Sequence, residues 1–173
     1  MGRLSRMVAA NSTYCYDACM KIGTLIYCMR DDEVLLGLKK RGFGASKWNG
    51  YGGKPQEGET VPEAAVRELF EEAGIEASLE DLRKVAKVDF YFEDRPAFEC
   101  HAFLLSDWKG EPQESEEMLP QWFKVSELPL SEMWVSDPLW LPRSLMGTKV
   151  EGRCRFNADG SVVEGYEELA VSF

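Results

Sequence analysis

The chain has 173 residues, 45% of them apolar and 12% aromatic, enough to bury one substantial core and too few for two comfortable domains. Its 20 lysines and arginines stand against 30 aspartates and glutamates, a formal charge of −10. That excludes a basic surface for polymeric nucleic acid, and an anionic partner then needs metal ions between the two surfaces. No stretch nears the ~20 apolar residues of a membrane span. The single histidine, His101, excludes a multi-histidine zinc site. Five cysteines without a CxxC pair read as reduced thiols and place the protein in the cytoplasm.

Residues 1–19 carry no apolar periodicity and are expected to be a flexible, dispensable extension ahead of one domain over 20–173. Lys21–Met29 and Glu33–Leu38 read as two strands joined by a turn at Arg30-Asp31-Asp32. Gly42, Gly44, Gly50, Gly52 and Gly53 crowd the next stretch, which suits tight backbone turns and not a helix. A helix follows over 61–73, with Thr60 and Glu63 as a capping box, Pro62 in the first turn and Gly74 past its end. Strands over about 84–93 and 97–106 flank a turn near Asp94-Arg95-Pro96. Gly110–Glu117 is an acidic loop and Gln121–Val125 a short strand. Asp137, as N-cap, and Pro138 open a second helix that runs to about Met146. Gly152–Phe156 and Val162–Tyr166 form a closing hairpin around Asn157-Ala158-Asp159-Gly160. The whole is an α+β domain with a mixed sheet and two main helices.

On a helical wheel Pro62, Ala65, Val66, Leu69, Phe70 and Ala73 span about 140°, the buried stripe. Glu68 and Glu72 lie one turn apart at its edge, and Glu71 shares that side. Three carboxylates at a core boundary repel one another unless a cation intervenes, and hard divalent ions such as Mg²⁺ take such oxygens. A solvated glutamate face, with Arg67 pairing to Glu71, is the plainer alternative. The spacing decides between them. Gly53, Glu59, Arg67, Glu68, Leu69, Glu71, Glu72, Gly74 and Ile75 follow the pattern G-x5-E-x7-R-E-U-x-E-E-x-G-U, U being aliphatic. Chance produces it on the order of once in ten million chains of ordinary composition.

This pattern resembles the Nudix box. The resemblance implies the Nudix fold, an α/β/α sandwich around a mixed sheet, and Mg²⁺-dependent cleavage of nucleoside diphosphate derivatives, with Mn²⁺ as a substitute. It implies that Glu68, Glu71 and Glu72 bind metal or activate water, that Arg67 and Glu59 orient this cluster, and that the Gly52 carbonyl reaches a metal. The flanks are similar to a narrower branch, the oxidised-purine nucleoside triphosphatases related to MutT. Leu38-Lys39-Lys40-Arg41-Gly42-Phe43-Gly44-Ala45, Trp48-Asn49-Gly50-Tyr51-Gly52-Gly53-Lys54, Glu117-Met118, Pro120, Trp122-Phe123, Met133-Trp134, Asp137, Trp140 and Pro142 carry that likeness from Met20 onward. It implies that Asn49 and Asp137 read a purine edge, that Trp134, Phe43 and Phe90 line or stack on the base, that Lys39 lies near the phosphates, and that Glu117 completes the metal site.

One position departs from that branch. Ser136-Asp137 stands where it has two adjacent aspartates, so the breadth of bases accepted is expected to be narrower. The expected function is hydrolysis of 8-oxo-dGTP-type nucleotides to monophosphate and pyrophosphate by a monomer. A Nudix hydrolase of other nucleoside polyphosphates or nucleotide sugars, and a non-catalytic nucleotide-binding module, are the alternatives. His101 is read as structural.

Overall fold

The computed structural model describes residues 20–173; the expected N-terminal extension lies outside them. Strands β1 (Lys21–Arg30), β2 (Glu33–Lys39), β3 (Trp48–Asn49), β4 (Arg83–Phe92), β5 (Arg95–Leu105), β6 (Met118–Lys124), β7 (Val150–Phe156) and β8 (Val163–Leu169) make one sheet. Helix α1 (Val61–Ala73) follows β3, and α2 (Asp137–Leu145) follows β6. The strand order is β3-β2-β1-β5-β4-β7-β8, with β6 also paired to β2. The β1–β5 and β4–β7 pairs are parallel and the others antiparallel, so the sheet is mixed. β2 is the branch point. One of its edges pairs with β6 from Glu33 to Lys39, while the other pairs first with β1 and then, at Gly37 and Leu38, with β3.

Strand alternation divides the apolar residues between two cores. Ile26, Cys28, Leu35, Phe103 and Leu105 pack against Ala65, Leu69 and Ala73 of α1. Tyr27, Val34, Leu36, Ala102 and Leu104 face the other way, against Trp140, Leu141 and Leu145 of α2. The two helices thus cover opposite faces of the sheet, giving the layered sandwich. Cys28, Cys100 and Cys154 are free, buried thiols; Cys15 and Cys19 lie outside the described residues.

The helix signals of the sequence are realised at α1. Thr60 Oγ1 accepts the Glu63 N–H and the Glu63 carboxylate accepts the Thr60 N–H, closing the capping box. Gly74 ends the helix at φ 69°, its N–H donating to the Phe70 carbonyl at 2.9 Å. Phe70, at the margin of the expected stripe, is 54% exposed, because the core beneath α1 is filled by Leu69 and small alanines.

Elsewhere the expectations need correction. The β4–β5 turn is Glu93-Asp94, with Glu93 at φ 55°, so Arg95 and Pro96 belong to β5. The register slips between Phe90 and Tyr91, and this irregularity accommodates a residue without an N–H. β6 begins at Met118 and includes Pro120, tolerable because only one of its edges is paired. β3, too short for a periodic signal, lies inside the glycine-rich stretch. Asp137 is the first residue of α2 and not its cap: its Oδ2 accepts the Trp134 N–H, three residues upstream, at 3.1 Å. β7 starts at Val150 and β8 runs to Leu169, both longer than alternation alone indicates.

Candidate active site

The segment after β3 lies against β1 as a short antiparallel bridge. Tyr51 exchanges hydrogen bonds with Ile26, and the Gly53 carbonyl accepts the Thr24 N–H at 2.8 Å. Between these, Gly52 turns its N–H away from β1 to Glu72 Oε2 at 3.0 Å. A Cβ on Gly52 would lie 1.9 Å from the Thr24 carbonyl oxygen, and one on Gly53 would lie 2.4 Å from Glu68 Cδ. The two glycines let the backbone touch the acidic edge of α1. Gly52→Ala should therefore open this bridge and lower Tm by about 5 °C or more, which thermal melting checks.

Glu72 is 4% exposed. Burial pushes its carboxyl up to about 7, against the pull of the Gly52 N–H and of Lys39, whose Nζ lies 3.5 Å from Oε1; the Glu68 charge adds to the rise. Arg67 organises the remaining carboxylates. Its Nε and one terminal nitrogen bind Glu59 at 2.9 and 3.0 Å, and the other terminal nitrogen reaches Glu68 at 2.8 Å and Glu71 at 3.3 Å. It also donates to the Lys54 carbonyl at 3.1 Å. This fork holds the Glu59 carboxyl below the usual carboxylate range, and the Gln56 N–H lowers it further. Glu71 is the most exposed of the three helix carboxylates. Glu117 stands across the groove, 3.7 Å from Lys39 Nζ and 3.1 Å from Arg41.

Among the described residues no three acidic, histidine or cysteine groups converge as a preformed metal cage. Arg67 and Lys39 occupy the carboxylates instead. The donor set nonetheless fits a hard divalent ion: all-oxygen ligands, with one carboxylate buried beside another at a cost that a bound cation would relieve.

A cavity opens on the α2 side of the sheet. Leu25, Phe90, Phe98, Cys100 and Phe156 form its floor, and Phe43, Asn49, Trp134, Ser136, Asp137 and Trp140 complete its walls. Phe43 stacks on Phe98 and lies 4.9 Å from the Trp134 ring, bridging the mouth. Phe90 stacks on Phe156. Among these rings Ser136 is 1% and Asp137 3% exposed, and burial raises the Asp137 carboxyl to about 7 despite the Trp134 N–H and Lys47. The cavity continues into a groove lined by Asn49, Gly53, Lys54, Lys39, Gly52, Glu72 and Glu117.

The structure thus brings Asn49, Trp134, Ser136, Asp137, Phe43 and Phe90 to one end and Lys39, Gly52, Glu72 and Glu117 to the other. Glu59, Arg67, Glu68 and Glu71 lie beside the second end as a linked cluster. His101 is elsewhere, 2.6 Å from Glu99 in a network with Lys87 and Glu151. Phe98, Phe156, Cys100 and Lys54 also line the cavity or groove, and the sequence assigns none of them a site role; Phe98 and Phe156 carry no local signal beyond lying in expected strands.

An acidic helix edge fastened to a glycine bridge, beneath a mixed sheet sandwiched by helices, defines a Nudix site, and the chain belongs to the Nudix family. The NUDIX domain model matches residues 20–143. The chain is 43% identical over 145 residues to an oxidized purine nucleoside triphosphate hydrolase of Danio rerio, covering 83% of this chain and 92% of that one. It is 42% identical over 144 residues to the protein of the same name from Mus musculus, covering 83% and 91%. Its fold is that of a MutT protein from Bacillus halodurans, at TM-score 0.73 and 22% identity, over 86% of this chain and 97% of that one. Nudix hydrolases generally use divalent metal cations. Among the described residues no helix is long and apolar enough to cross a membrane.

Proposed function

We propose that the protein hydrolyses oxidised purine nucleoside triphosphates of the 8-oxo-dGTP type to the monophosphate and pyrophosphate, with Mg²⁺ as its metal and Mn²⁺ as a substitute. The observation that carries this is the continuous cavity and groove that run from half-buried Asn49 and buried Asp137, among aromatic rings, to Glu72 at the acidic edge of α1. A purine entering this cavity would meet the Trp134, Phe43 and Phe90 rings, with Asn49 and Asp137 at its polar edge. The names of the zebrafish and mouse relatives support the same substrate class.

Glu68, Glu71, Glu72, Glu117 and the Gly52 carbonyl would hold the metal, which when bound supplies charge neutralisation for the phosphates and a more acidic water. Lys39 and Lys54 bind phosphate oxygens. Arg67 and Glu59 keep Glu68 and Glu71 in position, and one of these two takes the proton of the water that attacks the β-phosphorus. The buried thiols support a reducing compartment, the cytoplasm, and we take the active unit to be a monomer.

Pyrophosphate release from a nucleotide panel with Mg²⁺ tests the reading. The value of kcat/KM for 8-oxo-dGTP should exceed that for 2-hydroxy-dATP, since Ser136 supplies no second carboxylate, and should exceed that for dTTP by at least about tenfold. Equal values for 8-oxo-dGTP and dTTP would remove the substrate assignment and leave the family intact.

A further inference from the structure

Tyr27 takes no part in the site as described, yet it lies directly behind it. On β1 it is fully buried, its ring edge-on to Trp140 and pressed against the Gly50 backbone. A Cβ on Gly50 would come within 2.9 Å of two Tyr27 ring carbons, so only glycine there lets the ring lie so close. The Tyr27 hydroxyl donates to Asn49 Oδ1 at 3.4 Å, and the Gly50 N–H donates to the same oxygen at 2.8 Å. A backbone N–H is a donor only, so it fixes which end of the Asn49 amide is the oxygen. Burial, and then the nearby Asp137 carboxylate, hold the Tyr27 phenol well above its ordinary range, so it keeps the proton it donates.

We propose that Tyr27 is a positioning residue for base recognition: with Gly50 it occupies Asn49 Oδ1, so that Asn49, which lines the cavity, offers the base only its Nδ2 donors. The inference rests on the reading of the cavity as a purine site and sharpens the substrate class. Beside Asp137, which accepts hydrogen bonds when ionised, a fixed Asn49 donor reads an acceptor next to donors. A 6-oxo purine presents that order, O6 beside N1–H and the 2-amino group. A 6-amino purine sets a donor against a donor, and Asn49 cannot turn to receive it without breaking both bonds to Oδ1.

Tyr27→Phe keeps the ring and deletes the hydroxyl. The ratio of kcat/KM for 8-oxo-dGTP over 2-hydroxy-dATP should fall about fivefold, through KM and not kcat. Tm should stay close to that of the wild type. In an Asn49→Ala background the same substitution should leave the ratio unchanged, because the hydroxyl then has nothing to orient. A ratio unmoved by Tyr27→Phe, equal losses on both nucleotides, or the full effect persisting without Asn49 would each overturn the proposal. Calorimetric binding to the wild-type protein tests it independently of turnover and of how the variants fold. Deoxyguanosine monophosphate should bind at least about tenfold tighter than its 2,6-diaminopurine counterpart, which differs at C6 and N1. Equal binding overturns the proposal even if 8-oxo-dGTP is hydrolysed. Failure to hydrolyse any oxidised purine nucleotide, with that preference intact, counts instead against the functional reading.

Discussion

Glu72→Gln is expected to lower kcat for 8-oxo-dGTP by at least about a hundredfold while leaving the fold intact. Glutamine matches glutamate in size, and its amide oxygen can still accept the Gly52 N–H that Glu72 receives at 3.0 Å. The other end changes sign of interaction. An NH₂ group replaces the carboxylate oxygen 3.5 Å from Lys39 Nζ, and a charged oxygen ligand is lost from the acidic edge. Stability should hold or rise, because a neutral amide removes the cost of burying an anion beside Glu68. Steady-state turnover and a melting curve on the same sample separate the two effects. Turnover near the wild-type value, or turnover that survives EDTA, would show that this edge is not the metal-binding centre.

Asp137→Asn carries the second large effect. On 8-oxo-dGTP it should cost about 1–3 kcal/mol of transition-state binding, roughly a five- to 150-fold fall in kcat/KM, because the amide puts a donor where the base also presents donors. A pyrimidine triphosphate should be much less affected. Stability should move the other way, in a defined pH window. The carboxyl titrates near 3.8 when unfolded and at about 7 in the native cavity. The unfolded state thus releases this proton first. Whatever stability the group gives is complete below about pH 4 and is lost as pH rises through 7, a cost on the order of 4 kcal/mol at pH 8. The asparagine variant should accordingly melt higher than the wild type at pH 8, with the gain vanishing toward pH 4. Identical melting profiles from pH 4 to 8 would remove the buried-acid account of this residue.

Local signals in the sequence were those satisfied by neighbours in the chain. The Thr60–Glu63 box, the Gly74 terminus and the Asp31-Asp32 turn each depend on contacts a few residues away, and each stands where the spacing puts it. The acidic edge of α1 was equally legible, since helical geometry alone sets Glu68, Glu71 and Glu72 side by side. The cavity was much less so. Phe98 and Phe156 come from strands far apart in the chain and meet through the β5–β4–β7 pairing, which no local pattern encodes. Asp137 before Pro138 reads as a helix cap because Asp-Pro commonly is one. Only the fold shows its carboxylate turned back to Trp134 and enclosed by rings. The link from Tyr27 through Asn49 is likewise tertiary, joining residues on two strands that do not pair.

The buried thiols bear on the conditions in which such an enzyme is needed. Oxidised nucleotides arise when oxidants are abundant, and the reactive form of cysteine is the thiolate. Burial pushes Cys28 and Cys100 up to about 12 and Cys154 up to about 11, so near neutral pH all three stay protonated. Cys100 lies in the floor of the proposed base cavity. A sulfenic or sulfinic acid there would add bulk and polarity against the purine, yet the attack that forms it is suppressed at the first step. The packing that builds the proposed base cavity therefore also disfavours the thiolate form of the cysteine in its floor.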